Sequence, residues 1–143
     1  MIWVPSSVCP RNWPNGVEIE YYDPAINAGI EKLLRGNTRA VMCEAPGSLS
    51  FEMQDIPAIC KAAKAKRCIT LGDLTWATPL YAEPFKLGLD VCIHSITKYV
   101  AGHSDVMIGF VAMRQAEYEA VKRQGHGLGF GAAPDDCYLA LRG

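Results

Sequence analysis

Cys68-Ile69-Thr70-Leu71-Gly72-Asp73 and Val91-Cys92-Ile93-His94-Ser95 decide the fold. Each is a short apolar run that ends in polar residues, as in a strand buried on both faces. Ala40-Val41-Met42-Cys43-Glu44 has the same character, and Ile108 to Met113 reads as a fourth strand. Between the runs lie helix-like stretches. Asp23-Pro24 supplies an N-cap and a first-turn proline, and Ile26, Ile30, Leu33 and Leu34 follow on one stripe that Gly36 closes. Asp55 caps a second helix with Ile56, Ile59, Cys60 and Ala63 facing inward. A helical turn is expected over residues 84–89 and a polar surface helix over 115–124, with Tyr118 and Val121 as its inward contacts. A last helix, capped by Asp135, runs from Asp136 to Arg142. Val17 to Tyr22 alternates with period two and reads as a further strand. Strand–helix–strand alternation predicts an α/β layer with a mostly parallel sheet flanked by helices.

The chain has 143 residues, 50% of them apolar, enough for one domain with its own core. Fourteen basic residues against fifteen acidic ones leave a formal charge of -1, so no positive field favours nucleic acid or anionic lipid. No window approaches the ~20 apolar residues of a membrane span, and Met1-Ile2-Trp3-Val4-Pro5 lacks the basic start and apolar h-region expected of a signal peptide. The six cysteines include no Cys-x-x-Cys pair and lack zinc spacing with the histidines; free, mostly buried thiols in a reducing cytoplasm are expected, with no metal. Both ends read as cut, with nothing to cover the apolar side of the last helix.

In parallel sheets the chemistry collects beyond the carboxyl ends of the strands. That rule singles out Glu44, Asp73 and His94 to Lys98. A lysine beside two hydroxyls, Ser95-Ile96-Thr97-Lys98, suits a Schiff base with an aldehyde cofactor whose phosphate the hydroxyls hold. The same residues also suit a solvated loop lysine between turn-forming hydroxyls. Asp73 suits a carboxylate on a pyridine nitrogen, or a plain turn former. Pyridoxal phosphate needs both groups: a carboxylate to keep its ring nitrogen protonated and a lysine to hold its aldehyde. Gly125 to Gly131 lacks the preceding strand of a dinucleotide loop and is expected to be a flexible connection. His103 is expected to be a hydrogen-bonded structural residue, and Trp76 and Tyr99 core or wall residues.

At Asp73-Leu74-Thr75-Trp76-Ala77-Thr78-Pro79, Ser95-Ile96-Thr97-Lys98-Tyr99 and Gly102-His103-Ser104-Asp105 the sequence resembles the Cys/Met-metabolism family of pyridoxal-phosphate enzymes. Glu44-Ala45-Pro46-Gly47-Ser48 and the Asp73–Lys98 spacing resemble its bacterial cystathionine β-lyase branch. The resemblance implies part of the large, cofactor-binding domain of a fold type I enzyme over residues 1–143, without an N-terminal segment and a C-terminal domain. It implies Lys98 as the catalytic, cofactor-holding lysine. Asp73 would pair with the ring nitrogen, Ser95 and Thr97 would bind the phosphate, and Thr75 would lie near the ring. It further implies pyridoxal 5'-phosphate, cystathionine as substrate, β-elimination, and a homo-oligomer with a shared site. A γ-synthase, γ-lyase or methionine γ-lyase of the same family is the alternative, and a truncated, non-catalytic relic is another. Two departures stand out. Cys9 occupies the place of the family's stacking tyrosine, and Leu74 that of its usual asparagine. The isolated chain is expected to be a poor catalyst and prone to association.

Overall fold

The computed structural model describes residues 12–13 and 16–143. Cys9 and its neighbours lie outside the described residues. Four strands form the main sheet: β3 (Ala40–Glu44), β4 (Ile69–Asp73), β5 (Val91–Ser95) and β6 (Gly109–Met113), in that spatial order. β3, β4 and β5 run parallel, and β6 returns antiparallel to β5. The mostly parallel α/β layer expected from the sequence is therefore present. The register places Glu44 beside Asp73 and Asp73 beside Ile93, so the polar strand ends share one edge. A two-stranded ribbon, β1 (Asn12–Trp13) with β2 (Val17–Glu18), lies apart from this sheet.

Helix α1 (Ile56–Ala65) covers the sheet. Asp55 caps it by accepting the Ala58 N–H at 3.0 Å, and Ile56, Ile59, Cys60 and Ala63 are buried, as their helical spacing predicts. Ile59 is fully buried. Ile59→Ala is therefore expected to destabilise the chain by about 2–5 kcal/mol, read as a lower denaturant midpoint. Gly72 matters for close packing: a Cβ there would meet Leu89 Cδ1 at 2.5 Å. Gly88 closes α3 (Pro84–Leu87) in a left-handed conformation, φ 106°. A methyl at that position would lie 2.9 Å from Cys60 Cβ. Backbone and packing penalties thus combine at Gly88, and Gly88→Ala is expected to lower the denaturant midpoint as well.

Several elements depart from expectation. Only Val17–Glu18 of the 17–22 stretch is strand. Ile19 and Tyr22 turn inward instead, and the Tyr22 hydroxyl donates within reach of Met42 O and the buried Gln54 Oε1, each at 2.9 Å. The next segment, Pro24–Lys32, is a 3-10 helix interrupted at Asn27 (φ 50°, ψ -128°) and ending at Leu33, before Gly36. That kink lets Asn27 Oδ1 accept from the Asp55 N–H at 3.2 Å, tying the helix to the α1 cap. A short helix, α2 (Thr78–Tyr81), has too few residues to show periodicity in the sequence.

Helix α4 (Gln115–Gly127) runs on through Gly125 and Gly127, which the sequence suggested were connection. Tyr118 and Val121 are exposed, not inward contacts; Lys122 Nζ lies 5.3 Å from the Tyr118 ring centre. In α5 (Pro134–Arg142) Ala133, not Asp135, holds the cap position. Asp135 and Asp136 sit in its first turn, where the helix dipole favours them. Tyr138 and Leu141 are exposed. Among the described residues no helix is long and apolar enough to cross a membrane.

Candidate active site at the carboxyl edge of the sheet

A cavity of about 1060 Å³ opens over the ends of β3, β4 and β5, and Asp73, Thr75, Ser95, Thr97 and Lys98 all line it. The five residues singled out from the sequence thus meet in one place. Parallel strands explain this: their carboxyl ends share one edge, and the chain leaves each in a loop that faces the same space.

Asp73 is half-buried at the end of β4, and its Oδ1 accepts from the Thr75 N–H at 2.9 Å. Thr75 Oγ1 accepts in turn from the Ser95 N–H at 2.8 Å. After Ser95 the chain winds into a tight turn, with Lys98 N–H on Ser95 O at 3.2 Å and Gly102 N–H on Lys98 O at 2.9 Å. Gly102 has φ 70°, a conformation that glycine adopts without penalty. Lys98 is exposed to the cavity, and its amine has no hydrogen-bond or ion-pair partner among the described residues. The Ser95 hydroxyl likewise has none. The Thr97 hydroxyl donates to Ile108 O at 3.1 Å and accepts from the Ile108 N–H at 2.9 Å. To donate to a phosphate it must give up the Ile108 carbonyl.

The remaining walls come from loops. Trp76 stacks edge-on to Phe51, ring centres 5.2 Å apart, and leans towards Tyr99 at 6.1 Å. Both Trp76 and Tyr99 are wall residues. Leu49 and Met107 also line the cavity and are among the most exposed apolar side chains. No periodicity could have found them, since they sit in irregular loops. Glu44 lines the cavity beside Asp73, with Ser48 Oγ donating to its Oε1 at 2.5 Å. An ion pair between Arg142 and Asp105 pins the end of α5 to the rim and holds the Asp105 carboxyl below its ordinary range. His103 Nδ1 contacts Ala101 O at 2.6 Å, in keeping with a structural role.

His94 does not join the site. It is buried, stacks on Phe110 at 4.9 Å, and lines a separate, mostly apolar cavity of about 310 Å³ with Cys92, Phe110 and Ala112. Burial lowers its pKa, against the opposing pull of Asp73. The unfolded chain therefore binds this proton more readily, and stability contributed by neutral His94 is present above about pH 6.5 and lost as pH falls. The denaturant midpoint is expected to drop between pH 7 and pH 5, with a shallower drop in His94→Phe. An equal drop in both would contradict this.

Cys43, Cys60, Cys68 and Cys92 are free and buried, and Cys137 is free and exposed. Burial pushes the Cys92 thiol up to about 11 and the Cys43 thiol up to about 12. Thiol reagent at neutral pH is therefore expected to modify Cys137 before these four. No group of three or more potential metal ligands occurs among the described residues.

The mixed sheet flanked by helices is the architecture of fold type I pyridoxal-phosphate proteins. A crystal structure of metB from Corynebacterium glutamicum superposes with a TM-score of 0.84 at 31% identity, covering 89% of this chain and 33% of that one. Cystathionine γ-lyase from Lactobacillus plantarum, complexed with L-serine, superposes with a TM-score of 0.82 at 31% identity, covering 86% of this chain and 32% of that one. The chain belongs to the family described as Cys/Met metabolism PLP-dependent enzyme, whose pattern matches residues 6–143.

A provisionally named cystathionine β-lyase of Rhizobium johnstonii is 51% identical over 128 residues, 90% of this chain and 32% of that protein. An L-alanine/L-glutamate racemase of Wolbachia pipientis is 38% identical over 128 residues, 90% and 31%. A cystathionine γ-synthase of Haemophilus influenzae is 35% identical over 130 residues, 90% and 35%. The chain spans about a third of the length of these relatives.

The residues present suit the family's cofactor. Among the described residues, the cavity combines an amine without a partner, a carboxylate held by one backbone N–H, and an uncommitted hydroxyl, flanked by aromatic rings.

Proposed function

We propose that this chain forms the cofactor-holding part of a carbon–sulfur lyase that cleaves cystathionine by β-elimination, releasing homocysteine, pyruvate and ammonia. The observation that carries this reading is the convergence of Lys98, Asp73, Thr75, Ser95 and Thr97 on one cavity. In this reading residues 1–143 are part of the large domain of a longer enzyme.

When bound, pyridoxal phosphate supplies an electron-withdrawing ring that takes up the electron pair left at the substrate Cα. Asp73, its orientation fixed by the Thr75 N–H, would keep a proton on the ring nitrogen. The Ser95 hydroxyl would donate to the phosphate, and Thr97 would join it if it released Ile108 O. Lys98 would hold the aldehyde carbon. Its amine is the group that would take the Cα proton and deliver one to the departing sulfur. The Cβ–S bond breaks with its electron pair on sulfur, and water converts the three-carbon remainder to pyruvate and ammonia.

The β-lyase reading is favoured over γ-synthase and γ-lyase by Pro46-Gly47-Ser48 after Glu44 and by the β-lyase name of the Rhizobium relative. The racemase of Wolbachia marks a second reading, in which Lys98 returns a proton to Cα and no bond to sulfur breaks. Assay of the chain with cystathionine, and separately with L-alanine, distinguishes them. Thiol and pyruvate released together support the lyase. Loss of optical rotation from alanine without pyruvate would overturn it.

The resemblance also suggests a site shared between subunits of a homo-oligomer in the cytoplasm. Sedimentation of the 143-residue chain is expected to show self-association. A strictly monomeric sample with full lyase turnover would contradict both that expectation and the expected weak catalysis.

A further inference from the structure

We propose that Thr75 is a positioning residue that fixes Lys98 relative to Asp73, through a relay of three hydrogen bonds; this rests on the cofactor reading of the site. The relay is continuous. Asp73 Oδ1 accepts from Thr75 N–H at 2.9 Å, Thr75 Oγ1 accepts from Ser95 N–H at 2.8 Å, and Ser95 O accepts from Lys98 N–H at 3.2 Å. It starts at the carboxylate assigned to the ring nitrogen. It ends at the backbone of the lysine assigned to the aldehyde.

The need for such a device follows from the sheet. β4 and β5 pair in parallel as far as Asp73 and Ile93, with Leu74 N–H on Ile93 O at 3.2 Å as a last backbone link. Beyond that point β4 turns away, and Thr78 N–H bonds back to Leu74 O at 3.0 Å. The Ser95 N–H would then have no carbonyl from β4. The Thr75 side chain takes the place of the missing backbone acceptor and holds the two strand ends together where the ladder stops. Half-buried backbone N–H groups without acceptors are costly, so the loss of this one hydroxyl is felt at Ser95. Because Thr75 Oγ1 accepts from Ser95, its own proton stays available to the cavity that it lines.

Two substitutions separate the hydroxyl from the methyl group. Thr75→Val keeps the shape and removes the acceptor; Thr75→Ser keeps the acceptor and removes the methyl. In the cofactor-free chain the Ser95 amide is expected to exchange with solvent about tenfold or more slowly than a free amide, with that protection lost in Thr75→Val and kept in Thr75→Ser. Pyridoxal phosphate titrated into the same samples, followed by its absorbance and by borohydride fixation at Lys98, is expected to bind about tenfold more weakly to Thr75→Val and near-normally to Thr75→Ser. Thr75→Val binding as well as the parent, or Thr75→Ser failing as badly as Thr75→Val, would overturn the proposal. If Thr75→Val does not fold, the parent and Thr75→Ser decide: an unprotected Ser95 amide in the parent overturns it. A parent chain that protects Ser95 through Thr75 yet fixes no cofactor at Lys98 would overturn the cofactor reading and leave the Thr75–Ser95 link standing.

Discussion

Lys98→Ala is expected to abolish covalent attachment of pyridoxal phosphate and to lower any β-elimination by about 10³-fold. On the proposed reading two separate functions would vanish with one amine: anchorage of the aldehyde, and proton transfer at Cα and sulfur. The amine is suited to both because nothing among the described residues holds it. Lys86, by contrast, is paired with Glu83 at 2.8 Å. The tight turn from Ser95 to Gly102 is built of backbone hydrogen bonds, so removal of the side chain leaves its frame intact. The variant is therefore expected to melt within a few degrees of the parent while showing no cofactor absorbance after gel filtration. Cofactor that survives gel filtration on Lys98→Ala would contradict the assignment.

Asp73→Asn is the second large effect. The amide keeps an oxygen for the Thr75 N–H but lacks the charge that, on the proposed reading, would hold a proton on the ring nitrogen. A hydrogen bond to a charged group contributes about 1.5–3 kcal/mol, so cofactor affinity is expected to fall by about tenfold or more. Turnover should fall further than affinity, because the protonated ring matters most when charge develops at Cα. Asp73→Glu tests placement: it restores the charge but lengthens the reach, and is expected to recover only part of the loss. Equal turnover in Asp73→Asn and the parent would remove Asp73 from the site.

The sheet was legible in the sequence because its central strands are buried. Val41 and Cys43, or Val91 and Cys92, have no reason to sit together except in a core, and both pairs are buried. Helix α1 was legible for a similar reason, its cap and apolar stripe agreeing. The site followed from topology, since parallel strands bring Asp73 and Ser95 to one edge whatever the loops do. Errors fell where tertiary contacts override local pattern. Asn27 leaves helical geometry to reach the Asp55 N–H, and Tyr22 leaves the strand pattern to reach Gln54. Asp135 resembled a cap, but Pro134 fits the first helical position and moves the cap back to Ala133. His94 was grouped with Ser95 by adjacency, yet successive strand residues point to opposite faces, and only Ser95 reaches the cavity. The Thr97 hydroxyl could not have been assigned to Ile108 from sequence, because that bond depends on how β6 returns beside β5.

Borohydride reduction of the chain loaded with pyridoxal phosphate, followed by peptide mapping, tests the central claim most directly. Lys61, Lys64 and Lys66 on and just after α1, together with the remaining lysines outside the cavity, are the competitors. They are exposed, and none lies in the cavity where a bound aldehyde would be oriented. Lys98 alone has a carboxylate and an uncommitted hydroxyl beside it to concentrate and orient the aldehyde. The predicted result is one fixed adduct at Lys98, weakened in Asp73→Ala; adducts spread over the surface lysines and indifferent to Asp73 would contradict it.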